Sequence, residues 1–599
     1  MRVVSQTGLR ARLHGLAFAL ALALYGGATL PYLANFPLMG QDEPWIAAPA
    51  AKLATQGIYG DDLFAGYYRM EQHTYNFPPL FPLSEALAFR LLGVGAWQAR
   101  MVAVLYGAAT LAMTYALGWR LYCGALGALA AWVLVGLRLA LEPSASGVPL
   151  LDLARIARYD IAVPPLVLAT LLCFVAADRR LTNDQRPTTN DQYQPRHSSL
   201  VTRHSSLVMQ WRYFATGLLA GLACLAHVYG GLVLAPIGAL LLWRHGVGAL
   251  RQPAAYLIAA GFALALLPWG LYIAQDLPAY VGQMLPEQTR FRLWDPWFYL
   301  DSLLRERSRY SRLLRLEGAT VLWPRLGIWL ALLGLPITSF LLFRRSFRPS
   351  QHREPNAETA VSPTGFSDID SRFSDRLLLV ALPLLALLLA LLVNLKFYNY
   401  ITLVLPWIAL NLAWLGIYLW RSAALLSPRG RTAARAALGG LLALALLEGL
   451  VGVRRSLISA ATISPYAGYT KRVAAALPPG VRVLALHQFW FDLYPRGYIY
   501  RSMALVYYYS DPLYYTPAPL PVEEALARIG PEYVLVDRAM ARELRMDLPV
   551  EALDDQRDQH FRRYLANRCA HAIAQIDDPD YGDLTIYRLC PEHQGTVSR

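Results

Sequence analysis

Lysine is nearly absent from this sequence of 599 residues. The three lysines are Lys52, Lys396 and Lys471, so the formal net charge of +14 comes almost entirely from arginine. Charged residues of both signs make up 16% of the sequence, well below the roughly 25% that is usual in soluble domains. This scarcity of charge argues against a soluble globular protein.

Cysteine is also scarce, with five residues, and no two of them have the CxxC spacing that is typical of zinc or redox sites. The sequence also lacks a basic soluble module or finger-like motif of the kind that binds nucleic acid. In a membrane protein, arginine reports first on topology and on contact with anionic lipid. We therefore predict no nucleic-acid partner and expect the lipid bilayer to be the main environment of the chain.

Hydrophobic residues, in contrast, account for 56% of the sequence and form eleven long apolar stretches. Each is near the roughly 20 residues that an α-helix needs to cross a bilayer. They lie near residues 15–36, 101–117, 124–141, 161–177, 213–228, 230–243, 254–274, 321–343, 377–394, 401–420 and 436–453. The pattern predicts an α-helical polytopic membrane protein with about 11 transmembrane helices.

The placement of arginine predicts the orientation of these helices. Arginines precede the first span, follow the fourth and eighth, and separate the sixth from the seventh and the tenth from the eleventh. All of these positions fall on one side, which the positive-inside rule makes cytoplasmic. The N-terminus is then on the cytoplasmic side of the cytoplasmic (plasma) membrane, and the chain after residue 453 is on the outer side. A cleavable signal peptide is the alternative for the first span, and it would not change the later orientation.

After residue 453 the pattern changes to short strands and a helix. Residues 481–486 and 533–536 are predicted strands, and 522–529 is a predicted helix that ends at Gly530. We therefore divide the chain into a transmembrane domain, 1–453, and an extracytoplasmic α/β domain, 454–599.

Two further predicted strands, 569–576 and 584–590, flank a turn near the end of the chain. Paired as a hairpin, they would place Cys569 opposite Cys590. A disulfide is expected on the oxidising outer side of the membrane. Two free thiols are the alternative.

The first outside loop, 37–100, is long for a connector and opens with the sequence GQDEPW at residues 40–45. Asp42 and Glu43 therefore stand side by side just after the first apolar span. This position places both carboxylates at the lipid–water boundary. The alternative is an acidic pair that caps or anchors the end of a helix.

Several short motifs follow one another along the chain in a characteristic order. They are Asp42-Glu43, Pro78-Pro79-Leu80, Ala99-Arg100, Ala157-Arg158-Tyr159-Asp160, and Lys396-Phe397-Tyr398-Asn399-Tyr400 followed by Pro406. In this order and topology they resemble the GT-C superfamily of integral membrane glycosyltransferases. The group most similar contains the protein O-mannosyltransferases and the aminoarabinose transferases that modify lipid A. The resemblance covers residues 15–453 and implies a GT-C fold.

The resemblance implies transfer of a hexose or pentose from a polyprenyl-phosphate donor to a lipid, glycan or protein acceptor on the outer face. It also implies that Asp42 is the base of an inverting reaction, which suits the need to remove the proton of an acceptor hydroxyl. Glu43 is a candidate orienting or metal-contacting partner. Asp160 is a candidate to hold the acceptor or a metal. No cofactor is predicted with certainty, and a divalent metal at Asp42 and Asp160 is left open.

Four basic residues are candidates to bind the donor phosphate. They are Arg158, Lys396, Arg290 and Arg292, and arginine in particular forms bidentate bonds to phosphate oxygens. The alternatives are an interfacial pair of Arg158 with Asp160, a snorkelling anchor at Lys396, and a surface helix on anionic headgroups for the arginines of loop 275–320.

One position departs from the pattern of the lipid A transferases. They often have a lysine directly before the first proline of the Pro-Pro pair, where this sequence has Phe77. This absence gives some weight to an inactive relative that binds a polyprenyl lipid. A lipid or solute transporter is the other alternative, although the charged candidates gather at helix ends rather than in mid-span, where transport pathways place them.

Overall fold

The structure is a computed structural model and describes residues 2–140, 145–184, 199–288, 292–310, 326–347, 368–516, 518–547 and 555–590. The chain is mainly helical as far as residue 475, and a small sheet follows. The helices of this first part are Arg2–Thr29, Asp42–Gln56, Leu80–Leu92, Ala96–Leu121, Gly124–Gly136, Pro149–Leu153, Val163–Asp184, Ser199–Ala226, Leu234–His245, Pro253–Ala274, Leu277–Gln283, Leu285–Gln288, Pro296–Leu304, Glu306–Arg309, Leu326–Ser346, Asp368–Leu392, Leu405–Ser422, Pro428–Thr462 and Tyr466–Ala475.

Within the described ranges, nine helical segments are long and apolar enough to cross a membrane. The third predicted span coincides with a shorter apolar helix, Gly124–Gly136, and the fifth lies within the helix Ser199–Ala226. Each of the eleven predicted spans therefore overlaps a helix, although nine rather than eleven meet the length and hydropathy required of a full crossing. The prediction of a multi-pass helical membrane protein is confirmed.

The helices Ser199–Ala226 and Pro253–Ala274 pack closely because glycine lies at their contact. A Cβ atom added at Gly217 would lie 1.9 Å from the carbonyl oxygen of Ile258. Small residues allow membrane helices to approach in this way, since packing rather than a hydrophobic force holds them together. The first helix of this pair ends just before His227, which caps a 3₁₀ turn that contributes to the candidate site.

Two helices of the first loop, Asp42–Gln56 and Leu80–Leu92, pack against each other and against the adjoining bundle. Their facing sides bury small and apolar residues, among them Ala47, Ala50 and Ala86. Alanine allows close approach of the two helices, so Asp42, the first residue of its helix, starts from a well-packed support.

The C-terminal part contains a five-stranded mixed sheet. The strands are β1 (Arg482–Ala485), β2 (Ile499–Ser502), β3 (Tyr533–Asp537), β4 (His571–Ile576) and β5 (Leu584–Arg588), and their order in the sheet is β2-β1-β3-β5-β4. The accompanying helices are Trp490–Leu493, Ala504–Ser510, Val522–Ile529, Arg538–Glu543 and Gln556–Asn567. Strand β1 pairs in parallel with β2 and β3, whereas β5 is antiparallel to β3 and β4. The predicted α/β domain is confirmed, while its boundary at residue 453 remains a prediction.

Tyrosines join the sheet domain to the first loop. The hydroxyl of Tyr67 donates a hydrogen bond of 2.6 Å to the carbonyl oxygen of Tyr514, and that of Tyr68 donates one of 3.1 Å to the carbonyl oxygen of Thr516. The rings of Tyr67 and Tyr508 lie 5.3 Å apart. Domain docking therefore accounts for part of the tyrosine-rich sequence at 507–515.

The hairpin predicted near the C-terminus is present, and its register bears on the proposed disulfide. His571 pairs with Arg588, and continuing this antiparallel register by two residues places Cys569 opposite Cys590. Both cysteines are free thiols in this structure, and the Sγ atom of Cys590 lies 3.8 Å from the carbonyl oxygen of Cys569. The cross-strand register supports the pairing, and the disulfide itself stays a prediction.

We expect Cys569 and Cys590 to be joined in protein isolated from the membrane without reductant. Alkylation under denaturing conditions, followed by mass spectrometry of the digested protein, should label both residues only after reduction. Cys123, Cys173 and Cys224, which lie in the membrane part, should be labelled without reduction and serve as internal controls. Full labelling of Cys569 and Cys590 before reduction would contradict the pairing.

Candidate active site

Asp42 is the first residue of the helix Asp42–Gln56, and it lines a cavity of about 610 Å³. A carboxylate is favoured at this end of a helix because the free N–H groups and the helix dipole are positive there. Half of the Asp42 side chain is exposed, at 50%. The carboxylate is therefore available to a molecule that enters the cavity.

Arg158 connects Asp42 to Asp160. Its guanidinium contacts the Asp42 carboxylate, and its Nε atom donates a 2.9 Å hydrogen bond to Asp160. The Arg158 side chain is 12% exposed. Burial would lower the pKa of Arg158, but the carboxylates of Asp160 and Asp42 outweigh it and hold that pKa above its ordinary value. The guanidinium therefore remains charged although it is largely buried.

Asp160 acts behind Arg158 rather than on the cavity wall. Its carboxylate accepts a 2.9 Å hydrogen bond from the hydroxyl of Tyr229, in addition to the bond from Arg158. The ring of His227 stacks on Tyr159 at 4.9 Å, and the rings of Tyr229 and Tyr400 lie 5.0 Å apart. These aromatic side chains hold the Arg158–Asp160 pair in place.

The cavity extends from the first loop to the ends of membrane helices and to the sheet domain. Asp42 and Arg158 contribute charged groups to the part of its lining that the structure describes. Aromatic side chains are the largest group in the remaining wall, and amide side chains add hydrogen-bonding groups. The aromatic residues are Trp45, Tyr75, Phe77, Tyr159, Tyr229, Trp269, Tyr280, Phe397, Tyr400 and Tyr508, and the amides are Asn76, Gln283, Gln288 and Asn394.

Glu43 points away from this cavity into the protein interior. Its carboxylate forms two hydrogen bonds with the guanidinium of Arg100, of 2.7 and 2.8 Å, and accepts a further bond of 2.9 Å from the backbone N–H of Ala157. Both charged side chains are almost fully buried. Glu43 thus ties the helix of Asp42 to the segment that carries Arg158. Asp42 and Glu43 were both predicted to be catalytic, yet Asp42 lines the cavity and Glu43 lies in a buried ion pair.

Lys396 is buried beside the cavity in a network of its own. Its Nζ atom lies 2.8 Å from Glu306, 3.1 Å from the hydroxyl of Ser302 and 2.8 Å from the carbonyl oxygen of Ala390. Arg309 also binds Glu306, at 2.7 Å. Burial lowers the pKa of Lys396, against the opposing effect of Glu306. The ammonium group is held by protein ligands, so a role in phosphate binding would require it to leave them.

The remaining candidates for phosphate binding, Arg290 and Arg292, belong to loop 275–320 of the sequence. Arg292 is exposed, whereas Arg290 falls outside the described residues. Phe77, which stands where a lysine was expected, is buried and packs 5.3 Å from Trp45 and 5.7 Å from Tyr159. The wall of the cavity is therefore apolar at that position.

A divalent metal does not fit the pair Asp42 and Asp160 as they are arranged. The guanidinium of Arg158 lies between the two carboxylates and contacts both. Over the described ranges, no group of three or more His, Cys, Asp or Glu side chains is placed to hold a metal ion.

The fold and the cavity define a polytopic membrane protein in which a largely apolar cavity contains the charged pair Asp42 and Arg158. The crystal structure of ArnT from Cupriavidus metallidurans bound to undecaprenyl phosphate is similar, with a TM-score of 0.53 and 15% sequence identity, over 96% of this chain and 97% of that chain. The Archaeoglobus fulgidus oligosaccharyltransferase tethered with an acceptor peptide matches with a TM-score of 0.50 and 12% identity, over 97% of this chain and 75% of that chain.

These similarities show a shared fold over nearly the whole chain. The GT-C fold that the order of the motifs predicted is therefore confirmed. A scan against protein-family models and a search of curated proteins each gave no match.

Proposed function

We propose that this protein is an inverting membrane glycosyltransferase that transfers a sugar from a polyprenyl-phosphate donor to a lipid, glycan or protein acceptor. The observation that carries the proposal is the half-exposed Asp42 carboxylate, which faces a cavity beside a buried arginine that is held in position. The shared fold supports it, since the similar ArnT structure contains undecaprenyl phosphate. In this proposal the site lies on the outer face of the cytoplasmic membrane, with the N-terminus inside.

Asp42 acts as the base in the proposed reaction. It takes the proton of the acceptor hydroxyl while the acceptor oxygen forms a bond to the anomeric carbon of the sugar. The bond from that carbon to the phosphate oxygen breaks, and its electron pair leaves with the polyprenyl phosphate. Because attack and departure occur on opposite sides of the anomeric carbon, its configuration inverts.

Arg158 stabilises the departing phosphate through its positive charge. A guanidinium suits phosphate oxygens because its N–H groups form bidentate hydrogen bonds. Asp160 and Tyr229 fix the position of Arg158 before the reaction, so that little reorganisation is needed as charge develops. The aromatic wall of the cavity suits the apolar face of a sugar ring, and the amides suit its hydroxyl groups.

The proposal is tested by reconstituting the purified protein in lipid nanodiscs with a panel of radiolabelled polyprenyl-phosphate hexoses and pentoses. Lipid, glycan and peptide acceptors are added, and new glycosidic products are separated by chromatography. We expect one donor class to give product. Binding of every donor without product would contradict transfer and indicate an inactive lipid-binding relative. Movement of donor across liposomes without product would indicate a transporter.

A further inference from the structure

We propose that the C-terminal sheet domain is part of the catalytic site, and that His487 in this domain positions Asp42. This inference rests on the proposed function, because it concerns the group assigned there as the base. Its structural basis is a chain of hydrogen bonds that runs from strand β2 of the sheet, through His487, to the peptide bond that precedes Asp42.

The chain contains three hydrogen bonds among four residues. Ser502, the last residue of β2, has its Oγ atom 2.6 Å from Nε2 of His487. The Nδ1 atom of His487 lies 2.8 Å from the carbonyl oxygen of Gln41. The backbone N–H of Ala504 donates a 3.0 Å hydrogen bond to the same Ser502 oxygen. The sheet domain thus reaches the residue directly before Asp42.

The acceptors in this chain determine where the proton of His487 lies. A carbonyl oxygen only accepts, so Nδ1 must carry the hydrogen and donate it to Gln41. Nε2 of the neutral ring is then an acceptor and takes the hydroxyl hydrogen of Ser502. The Ser502 oxygen accepts in turn from Ala504. Every member of the chain has a matching role, which defines one orientation of the imidazole.

Burial keeps His487 in this neutral form. The side chain is almost completely enclosed, with 3% exposure, and burial lowers its pKa to about 4. The groups in contact with the ring are the Gln41 carbonyl, the Ser502 hydroxyl and the rings of Trp45 and Phe64, with centroids at 5.9 and 6.0 Å. The hydrogen bond to Gln41 and the Asp42 carboxylate act to raise the pKa of His487, but burial outweighs them. The ring is therefore a fixed, uncharged support over the working pH range.

The position of Gln41 explains why this support matters. Gln41 is the N-cap of the helix that starts with Asp42, and its side chain makes no capping hydrogen bond. The carbonyl oxygen of an N-cap residue also accepts the first hydrogen bond of its helix, and the bond from His487 adds a second restraint on the peptide between residues 41 and 42. A change in this peptide would rotate the Asp42 carboxylate relative to Arg158 and the cavity. A displacement of about 1 Å of a catalytic group can reduce a rate by about 100-fold.

The sheet domain also contributes a side chain to the wall of the cavity. Tyr508, in the helix Ala504–Ser510, lines the cavity together with Asp42. The ring of Tyr508 also lies 6.5 Å from Trp45 and 5.3 Å from Phe64. The sheet domain therefore supplies both a wall of the cavity and the support of its base.

The test measures sugar transfer by His487→Ala, His487→Asn and Ser502→Ala and compares it with transfer by wild type. All proteins are full-length and reconstituted in nanodiscs, and the donor is the one that gives product in the panel. We expect His487→Ala to lower kcat by about 10- to 100-fold and to leave the KM of the donor unchanged. His487→Asn should recover most of kcat, because its amide can donate to Gln41 from the position of Nδ1. Ser502→Ala should have a smaller effect. His560→Ala is the control, since His560 lies in the same domain and is exposed beside Glu523.

Hydrogen exchange supplies a readout that does not depend on turnover. Amide exchange in the peptide covering residues 38–48 should be faster in His487→Ala than in wild type, and unchanged in His560→Ala. Wild-type kcat in His487→Ala, or no rescue by asparagine in a variant that folds, would overturn the inference. An inactive wild type would instead refute the proposed function, and unchanged exchange in His487→Ala would refute the support of Gln41 separately.

Discussion

Asp42→Asn is expected to lower the rate of sugar transfer by at least about 100-fold, the effect typical of a lost general base. Asparagine has nearly the same shape as aspartate, but its amide cannot take the proton of an acceptor hydroxyl. The half-exposed carboxylate at the cavity is the group that the proposed reaction needs. Initial rates with saturating donor and acceptor measure the effect, while donor binding should be retained because Arg158 and the cavity walls remain.

Asp301→Asn is a matched control for this variant. The Asp301 side chain is 46% exposed and forms a 2.9 Å ion pair with Arg305, so it resembles Asp42 in exposure and in having an arginine partner. It lies in the helix Pro296–Leu304 and is not among the residues that line the cavity. Transfer by Asp301→Asn should equal that of wild type. Activity of Asp42→Asn at the level of this control, in protein that elutes and melts like wild type, would remove Asp42 from its proposed role.

The membrane helices could be predicted from the sequence because their apolar length follows directly from the thickness of the bilayer. Each predicted span overlaps a helix, and a 3₁₀ segment, Val228–Val233, lies where the fifth and sixth predicted spans meet. The sheet domain was predicted in outline, but β2, Ile499–Ser502, was missed. It is four residues long and pairs in parallel with β1, so no local turn marks it, as it would mark a hairpin.

The site shows why the orientation and the partners of some side chains could not be predicted from the sequence. Asp42 and Glu43 are neighbours in sequence, yet successive residues of a helix point in different directions, so one faces the cavity and the other faces Arg100. The partner of Lys396 is Glu306, and no local pattern in the sequence connects residues so far apart. The hydrogen bond from His487 to the carbonyl oxygen of Gln41 joins residues 446 positions apart. Such partners are determined by tertiary packing rather than by motif.

The buried pair of Glu43 and Arg100 leads to the second prediction, a large loss of stability in Glu43→Gln. Glutamine leaves the Arg100 guanidinium inside the protein without a compensating charge. Removing one member of a buried ion pair typically costs about 3–5 kcal/mol of the free energy of unfolding. Thermal unfolding in detergent, followed by intrinsic fluorescence, should show the loss as a large decrease in melting temperature. The double variant Glu43→Gln with Arg100→Met should be less destabilised, because it removes both charges.

Asp492→Asn is the matched control, because Asp492 also forms two hydrogen bonds with an arginine, Arg496, each of 3.0 Å. That pair lies near the surface, with the arginine side chain 45% exposed, and exposed pairs contribute only about 0–1 kcal/mol. A decrease in melting temperature for Glu43→Gln no larger than that for Asp492→Asn would contradict the structural role of Glu43. Glu43→Gln should also transfer sugar more slowly than wild type, because Glu43 holds the first turn of the Asp42 helix against Ala157, the neighbour of Arg158.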